Sequence, residues 1–226
     1  MINSNTKEGI ILVNKPKGIT SHDVVDIVRR QLKTRKVGHA GTLDPLAEGL
    51  LIILVGRFTK SFTKFVNFDK EYFGILKLGE TTTTGDSEGE VIKEASFKEI
   101  SQDKINQAFK KFTGNIQQIP PMVSALRIKG KRLYSLARQG IVVERASRAI
   151  VIHSLEITKI DLPFIEFITR CSKGTYIRKL AEDIGEELFC GAHMVKIVRL
   201  SIGPFKLDDA IEPAKINESH LQKITF

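Results

Sequence analysis

The sequence predicts an α+β fold, on three observations. Several short runs are either continuously apolar or alternate with a period of two, which marks strands, and others carry apolar residues three and four apart, which marks helices. Hydrophobic residues make up 42% of the 226 positions, enough to bury a core. The whole chain, 1–226, is expected to form a single domain with a basic insertion at about 120–150.

The elements follow in order. Gly9 to Val13 (G-I-I-L-V) reads as a buried strand, ending in a loop from Asn14 to Gly18 that presents Lys15 in N-K-P-K-G. Thr20 or Ser21 caps a helix with Val24, Ile27, Val28 and Leu32 inward and a basic end at Arg29, Arg30, Lys33, Arg35 and Lys36. Gly49 to Val55 is a second buried strand. Phe58, Phe62, Phe65 and Val66 repeat at helical spacing and predict a core-facing helix. In Lys70 to Leu78 the period of two puts Tyr72, Gly74, Leu76 and Leu78 on one face, so Tyr72 is either a core tyrosine or a functional one.

Residues 79–90 (G-E-T-T-T-T-G-D-S-E-G-E) read as an acidic, turn-rich hairpin that repels phosphate and points away from any polyanion. Ser101 caps an amphipathic helix with Ile105, Ala108, Phe109 and Phe112 inward and Gly114 beyond its end. Strand-like runs follow at Ala149 to Ile160 and Pro163 to Cys171. A helix starting at Thr175 then buries Ile177, Leu180, Ala181, Ile184 and Leu188 and carries Tyr176 and Arg178 in its first turn. An arginine there opposes the helix dipole, so a specific anionic partner is expected for Arg178. Ala192 to Ile202 is the closing strand.

Charge narrows the function. The formal charge is +9 and the isoelectric point about 9.5, which points to a polyanionic partner, nucleic acid before membrane. No apolar run approaches the roughly 18 residues of a spanning helix, and M-I-N-S-N-T-K-E lacks the order of a secretory signal, so a cytoplasmic protein is expected. Between Arg127 and Arg148 seven bases stand against one acid, Glu144, a net +6 of the chain's +9. With Gly130 and Gly140 as breakers, this segment reads as a mobile arm whose Lys131 and Arg132 close over a phosphate backbone. Cys171 and Cys190 form no metal-ligand spacing, and no Gly-rich nucleotide fingerprint occurs, so neither metal nor cofactor is expected and the chemistry falls to side chains.

The chain is organised around V-G-H-A-G-T-L-D-P-L-A-E-G-L-L, from Val37 to Leu51. Glycines at 38, 41 and 49, with Gly56 after the stretch, give the backbone the freedom that close approach requires, and the strand after it would brace a loop carrying His39 and Asp44. Asp44 before Pro45 also fits a helix N-cap with proline at the first helical position, and local sequence leaves both readings open.

This stretch resembles the signature of the TruB family of tRNA pseudouridine-55 synthases. So do N-K-P-x-G-x-T-S at the first loop, K-x-Y-x-x-x-x-x-L-G around Tyr72, P-P-M-x-S-A-x-x-x-x-G-x-R-x-Y-x-x-A-R in the basic segment and C-S-K-G-T-Y-I-R-x-L-A-x-D-I-G around Arg178. Three positions depart from the family pattern: Thr83 lacks an acid, Val123 stands where an aromatic is common, and Val198 replaces the first of two arginines after Ile197.

The resemblance implies a pseudouridine synthase fold, a mixed, mostly antiparallel sheet flanked by helices with a thumb-like arm. It implies Asp44 as nucleophile or base, Tyr72 stacking on the target base, Arg178 paired with the catalytic aspartate, and His39 filling the place of a uridine flipped from the T loop. Tyr176 and Ile197 would wall the base pocket, while Lys15, Lys131 and Arg132 meet phosphate. The implied substrate is the T stem-loop of tRNA, bound by a monomer without protein partner, and the stretch after Phe205 is too short for the PUA domain of many relatives. Two rival functions stand beside this one: a non-catalytic tRNA-folding chaperone, and another RNA glycosyl-transfer enzyme with an aspartate nucleophile.

Overall fold

A computed structural model describes residues 7–124, 126–128, 130–137 and 139–224, without the side chains at 127, 128 and 132. In chain order the elements are β1 (Gly9–Lys15), α1 (Ser21–Leu32), β2 (Val37–His39), β3 (Glu48–Val55), α2 (Phe62–Val66), β4 (Lys70–Leu78), β5 (Glu80–Thr82), β6 (Val91–Glu94), α3 (Gln102–Lys111), β7 (Gly114–Gln118), β8 (Arg127–Ile128), β9 (Lys131–Arg132), α4 (Leu133–Ala137), β10 (Arg148–Asp161), β11 (Phe164–Cys171), α5 (Ile177–Glu187), β12 (Ala192–Ile202) and β13 (Phe205–Lys206). They form two compact units: residues 1–72 with 198–226, and residues 73–197.

In the first unit β3 is the central strand, and every residue from Gly49 to Val55 is buried, as its unbroken apolar run predicts. β1 pairs antiparallel along its full length, from Gly9 opposite Val55 to Lys15 opposite Gly49. On the other edge β2 pairs antiparallel with residues 53–55, and the end of β12 pairs in parallel with Glu48 and Gly49. The sheet is therefore mixed but mostly antiparallel. Ile10, Leu12, Ala40, Leu50, Ile52, Leu54, Phe65 and Ile202 make one core cluster. Burial of each leucine, isoleucine or phenylalanine among them stabilises the unit by about 1.5–3 kcal/mol.

Local signals set the helix ends. Thr20 caps α1 by accepting the Asp23 N–H at 3.1 Å, while the Asp23 carboxylate accepts the Thr20 N–H at 2.7 Å. Lys33, in the left-handed region at φ 49°, ends it. The stripe Phe58–Val66 departs from the expected single helix: Gly56–Ser61 is a 3-10 turn, α2 follows, and Phe62 is 46% exposed while Phe65 is buried. The tighter turn rotates Phe62 off the apolar face that a uniform 3.6-residue period assigns it.

In the second unit the strand order is β12–β4–β11–β10–β7. β10 and β11 form the long antiparallel hairpin, with a cis Leu162–Pro163 bond at its turn. β4 buries alternate residues as its period of two predicts. On that face Gly74 admits Phe167 and Met194, for a Cβ there would lie 2.5 Å from the Phe167 ring. Phe109 of α3 meets Phe167 edge to face at 5.9 Å. The basic segment is a folded element in its described part: β8 and β9 form a hairpin, and α4 buries Leu133 and Leu136. Helix α5 starts at Ile177 with Tyr176 at its N-cap, not at Thr175.

Candidate active site

The Asp44 loop, residues 40–47, joins β2 to β3, and no helix follows Asp44, so the loop reading holds over the N-cap reading. The loop is irregular yet tied down along its length. Ala40 N–H donates to Ile52 O at 2.9 Å; Ser21 Oγ accepts the Leu43 N–H at 2.8 Å and donates to Leu43 O at 3.0 Å. The Asp44 carbonyl accepts the Ala47 N–H at 3.1 Å, and Pro45 O accepts the Gly18 N–H at 2.9 Å. With its backbone so occupied, the loop leaves the Asp44 side chain half-buried. Ordered loops of this kind hold a reactive side chain in one place at little entropic cost.

Lys15 does not lie in the loop expected for it. It is the last residue of β1, wholly buried, and its ammonium donates to Pro16 O at 2.9 Å, Ile19 O at 2.7 Å and Pro45 O at 3.4 Å. With no exposed surface, the ammonium is turned toward protein carbonyls and braces the Asp44 loop through Pro45; the phosphate contact expected from the sequence is a separate role, which the salt dependence of RNA binding tests. His39 ends β2 and is half-buried. Its Nδ1 is buried without a close hydrogen-bond partner, while the Gly41 carbonyl of the loop favours the protonated ring. Burial, then the Arg199 guanidinium and His22, push its pKa down to about 4, so the ring is neutral at physiological pH. Tyr72, on β4, is buried at 8% exposure.

The remaining expected residues belong to the second unit. Arg178 is 3% exposed; its Nε lies 3.6 Å from Asp86 Oδ2, while Nη1 donates to Thr84 O at 2.5 Å and Nη2 to Val123 O at 2.7 Å. Asp86 is oriented in turn: its Oδ1 accepts Thr84 Oγ at 2.5 Å and the Glu88 N–H at 3.1 Å. The turn 79–90 is folded onto the first turn of α5, because its buried carboxylate meets the cation that opposes the helix dipole there. Thr83, where the family pattern has an acid, closes the same turn by accepting the Glu90 N–H at 3.1 Å. Val123 meets Arg178 through its carbonyl, so the absent aromatic does not touch that bond.

Tyr176 is half-buried, and its backbone is gripped at both atoms by Gln118, whose Oε1 accepts the N–H at 2.8 Å and whose Nε2 donates to O at 3.1 Å. Ile197 is buried on β12. Lys131 is exposed; the side chain of Arg132, with Lys129 and Arg138 of the basic segment, lies outside the described residues.

The TruB family pseudouridylate synthase N-terminal domain matches residues 29–177, and the tRNA pseudouridylate synthase B C-terminal domain matches residues 178–223. The chain belongs to the TruB family. It is 47% identical to the tRNA pseudouridine synthase B of Clostridium tetani, over 95% of this chain and 74% of that one. With the enzyme of the same name from Geobacter sulfurreducens it shares 45%, over 93% of this chain and 69% of the relative. Among solved structures, a chain of a Cbf5-Nop10-Gar1 complex superposes with a TM-score of 0.71 at 31% identity, covering 91% of this chain and 52% of that one. An H/ACA RNP bound to a substrate RNA containing 2′-deoxyuridine gives 0.68 at 29%, over 94% and 53%. This TruB-family chain thus spans about three quarters of its bacterial relatives and half of the solved chains.

Within the TruB frame three residues that the sequence reading did not single out as parts of the site hold its expected members. Asp86 faces Arg178, Gln118 grips Tyr176, and Arg199 of β12 is buried at 1% exposure against the Asp44 loop. Only Arg199 left a usable signal, for the period of two puts it on the same inward face of its strand as Ile197.

Proposed function

We propose that this protein isomerises the T-loop uridine at position 55 of tRNA to pseudouridine, with Asp44 as the reacting carboxylate. The observation that carries the reading is the Asp44 loop itself: a backbone hydrogen-bonded at Ala40, Leu43, Asp44 and Pro45, presenting a half-buried carboxyl. The family and its named relatives support the substrate.

The N1–C1′ bond breaks, the freed uracil turns, C5 bonds to C1′, the proton on C5 leaves and N1 takes one up, so that substrate and product have the same atoms. Asp44 acts either as nucleophile at C1′ or as base toward the 2′ carbon, and regains its free form when the new bond closes. The uridine must first leave the loop's stack, at a cost of a few kcal/mol. A neutral His39 ring is suited to occupy the gap, since a planar imidazole stacks without bringing a charge to be desolvated. Tyr72 stacks on the extruded base, Tyr176 and Ile197 wall it, and Arg178 supplies fixed positive charge to the site. Lys131 and Arg132 bind phosphate. We further take the protein to act as a monomer in the cytoplasm, without an external cofactor.

Release of tritium from C5-labelled uridine in a tRNA transcript tests this. Wild type releases it; Asp44→Asn loses turnover while its Kd for tRNA stays within about threefold, since phosphate contacts dominate affinity. Turnover by Asp44→Asn near the wild-type rate would overturn the assignment.

A further inference from the structure

The edge of β3 opposite β1 has two backbone partners with a gap between them. β2 pairs with residues 53–55, and β12 pairs with Glu48 and Gly49. The chain leaves β2 at His39 and enters β3 at Glu48, so residues 40–47, Asp44 among them, emerge from that gap. Two β3 carbonyls point into it. The Ala40 N–H takes that of Ile52 at 2.9 Å, and the Arg199 side chain takes that of Leu50, through Nε at 2.7 Å. The same guanidinium reaches the loop's outgoing arm, with Nη2 donating to Gly41 O at 3.1 Å and Nη1 to Thr42 O at 3.4 Å. One side chain therefore joins the start of the Asp44 loop to the strand its end runs into.

Arg199 is 1% exposed, and among the described residues no carboxylate pairs with it. A buried guanidinium is retained only where its N–H groups are well used, and here three backbone carbonyls use them. Backbone contact at the other end of the loop fits the same scheme. Gly49 has φ +100°, and a Cβ there would lie 2.5 Å from Arg199 O and 2.8 Å from Arg199 N. The residue whose side chain spans the loop's start is thus the one whose backbone presses on its finish.

We propose that Arg199 is a positioning residue for Asp44: it fixes the two ends of the loop against each other, so the carboxyl stands in its reacting place before RNA arrives. This rests on the reading of Asp44 as the reacting group. A lysine could not replace it fully, because one ammonium cannot bond Leu50 on one side and Gly41 and Thr42 on the other with the spread of a planar fork. His39, directly before the loop, feels the same guanidinium as part of what keeps its ring neutral.

Full-length Arg199→Met and Arg199→Lys decide the matter by three readouts. In single turnover at saturating tRNA, the rate constant falls about a hundredfold for Met and less for Lys, with Kd for tRNA within about threefold of wild type. Backbone amides of residues 40–47 exchange faster, and the His39 titration midpoint, followed by NMR, rises in the Met variant. An arginine that only held the fold together would lower the melting temperature and the reacting amplitude but leave the rate constant of folded molecules alone. That result, or a rate loss matched by equal loss of affinity, overturns the proposal. Should Arg199→Met not fold, Arg199→Lys carries the test, and a wild-type rate constant in it is equally fatal. A wild-type protein that releases no tritium defeats the assigned reaction and not the clamp, which amide exchange then confirms by acceleration or refutes by its absence.

Discussion

Arg178 and Asp86 face each other within one unit, Nε to Oδ2 at 3.6 Å, with 3% and 7% of their side chains exposed. Removing one member of such a pair leaves the other charge buried with one counter-ion fewer. Asp86→Ala is therefore expected to lower unfolding free energy by about 3–5 kcal/mol in urea titration. Asp86→Asn keeps an oxygen for Thr84 and Glu88 and loses only the charge, so it falls between Ala and wild type. Equal stability of Asp86→Ala and wild type would show that Arg178 is held without the Asp86 charge.

Lys15 separates brace from phosphate contact cleanly. Lys15→Met leaves the carbonyls of Pro16, Ile19 and Pro45 short of a donor, which costs about 1–3 kcal/mol. Kd for tRNA and its salt dependence should stay as in wild type. A salt slope lower by about 1 would restore the phosphate role.

How far the sequence could be read depended on whether a residue's partner is near in sequence. β3 and β4 were legible because an unbroken apolar run and a strict period of two have few other meanings, and the Thr20 cap because its partner Asp23 lies three residues on. Phe62 misled, since periodicity cannot register a 3-10 turn that shifts the phase. At the site, Asp44 and Arg178 stood out by motif and by their odd local chemistry. Their supports did not: Gln118 meets Tyr176 across 58 positions and Arg199 meets Leu50 across 149. The burial of Lys15 was hidden for the same reason, because a lysine beside proline and glycine reads as exposed until the fold supplies carbonyls around it.

Lys131 and Arg132 should contribute affinity without specificity. Neutralising both is expected to weaken binding of all tRNAs alike and to flatten log K against log salt by about 1 to 2. Nitrocellulose filter binding across a salt series measures this. An unchanged slope would route the RNA over another surface.

His39 gives the protein a pH dependence of definite sign. Its pKa falls from 6.5 when unfolded to about 4 when folded, chiefly through burial and then through Arg199. Between those values the unfolded chain binds a proton that the folded chain does not, so stability rises with pH across the window and is lost as pH falls from 6.5 toward 4. The contribution reaches at most about 3 kcal/mol. His193, also held below its ordinary value by burial, adds in the same direction, so the comparison must be made one residue at a time. His39→Gln should flatten the urea midpoint between pH 4 and 6.5 by its own share and leave that of His193. In wild type the His39 Cε1 proton should titrate near pH 4, and stacking by His39 should be insensitive to pH from 6 to 8. A midpoint near 6.5 would mean that water reaches the ring freely and that Arg199 lies too far from it to matter, which would also remove the electrostatic link between His39 and the Asp44 loop.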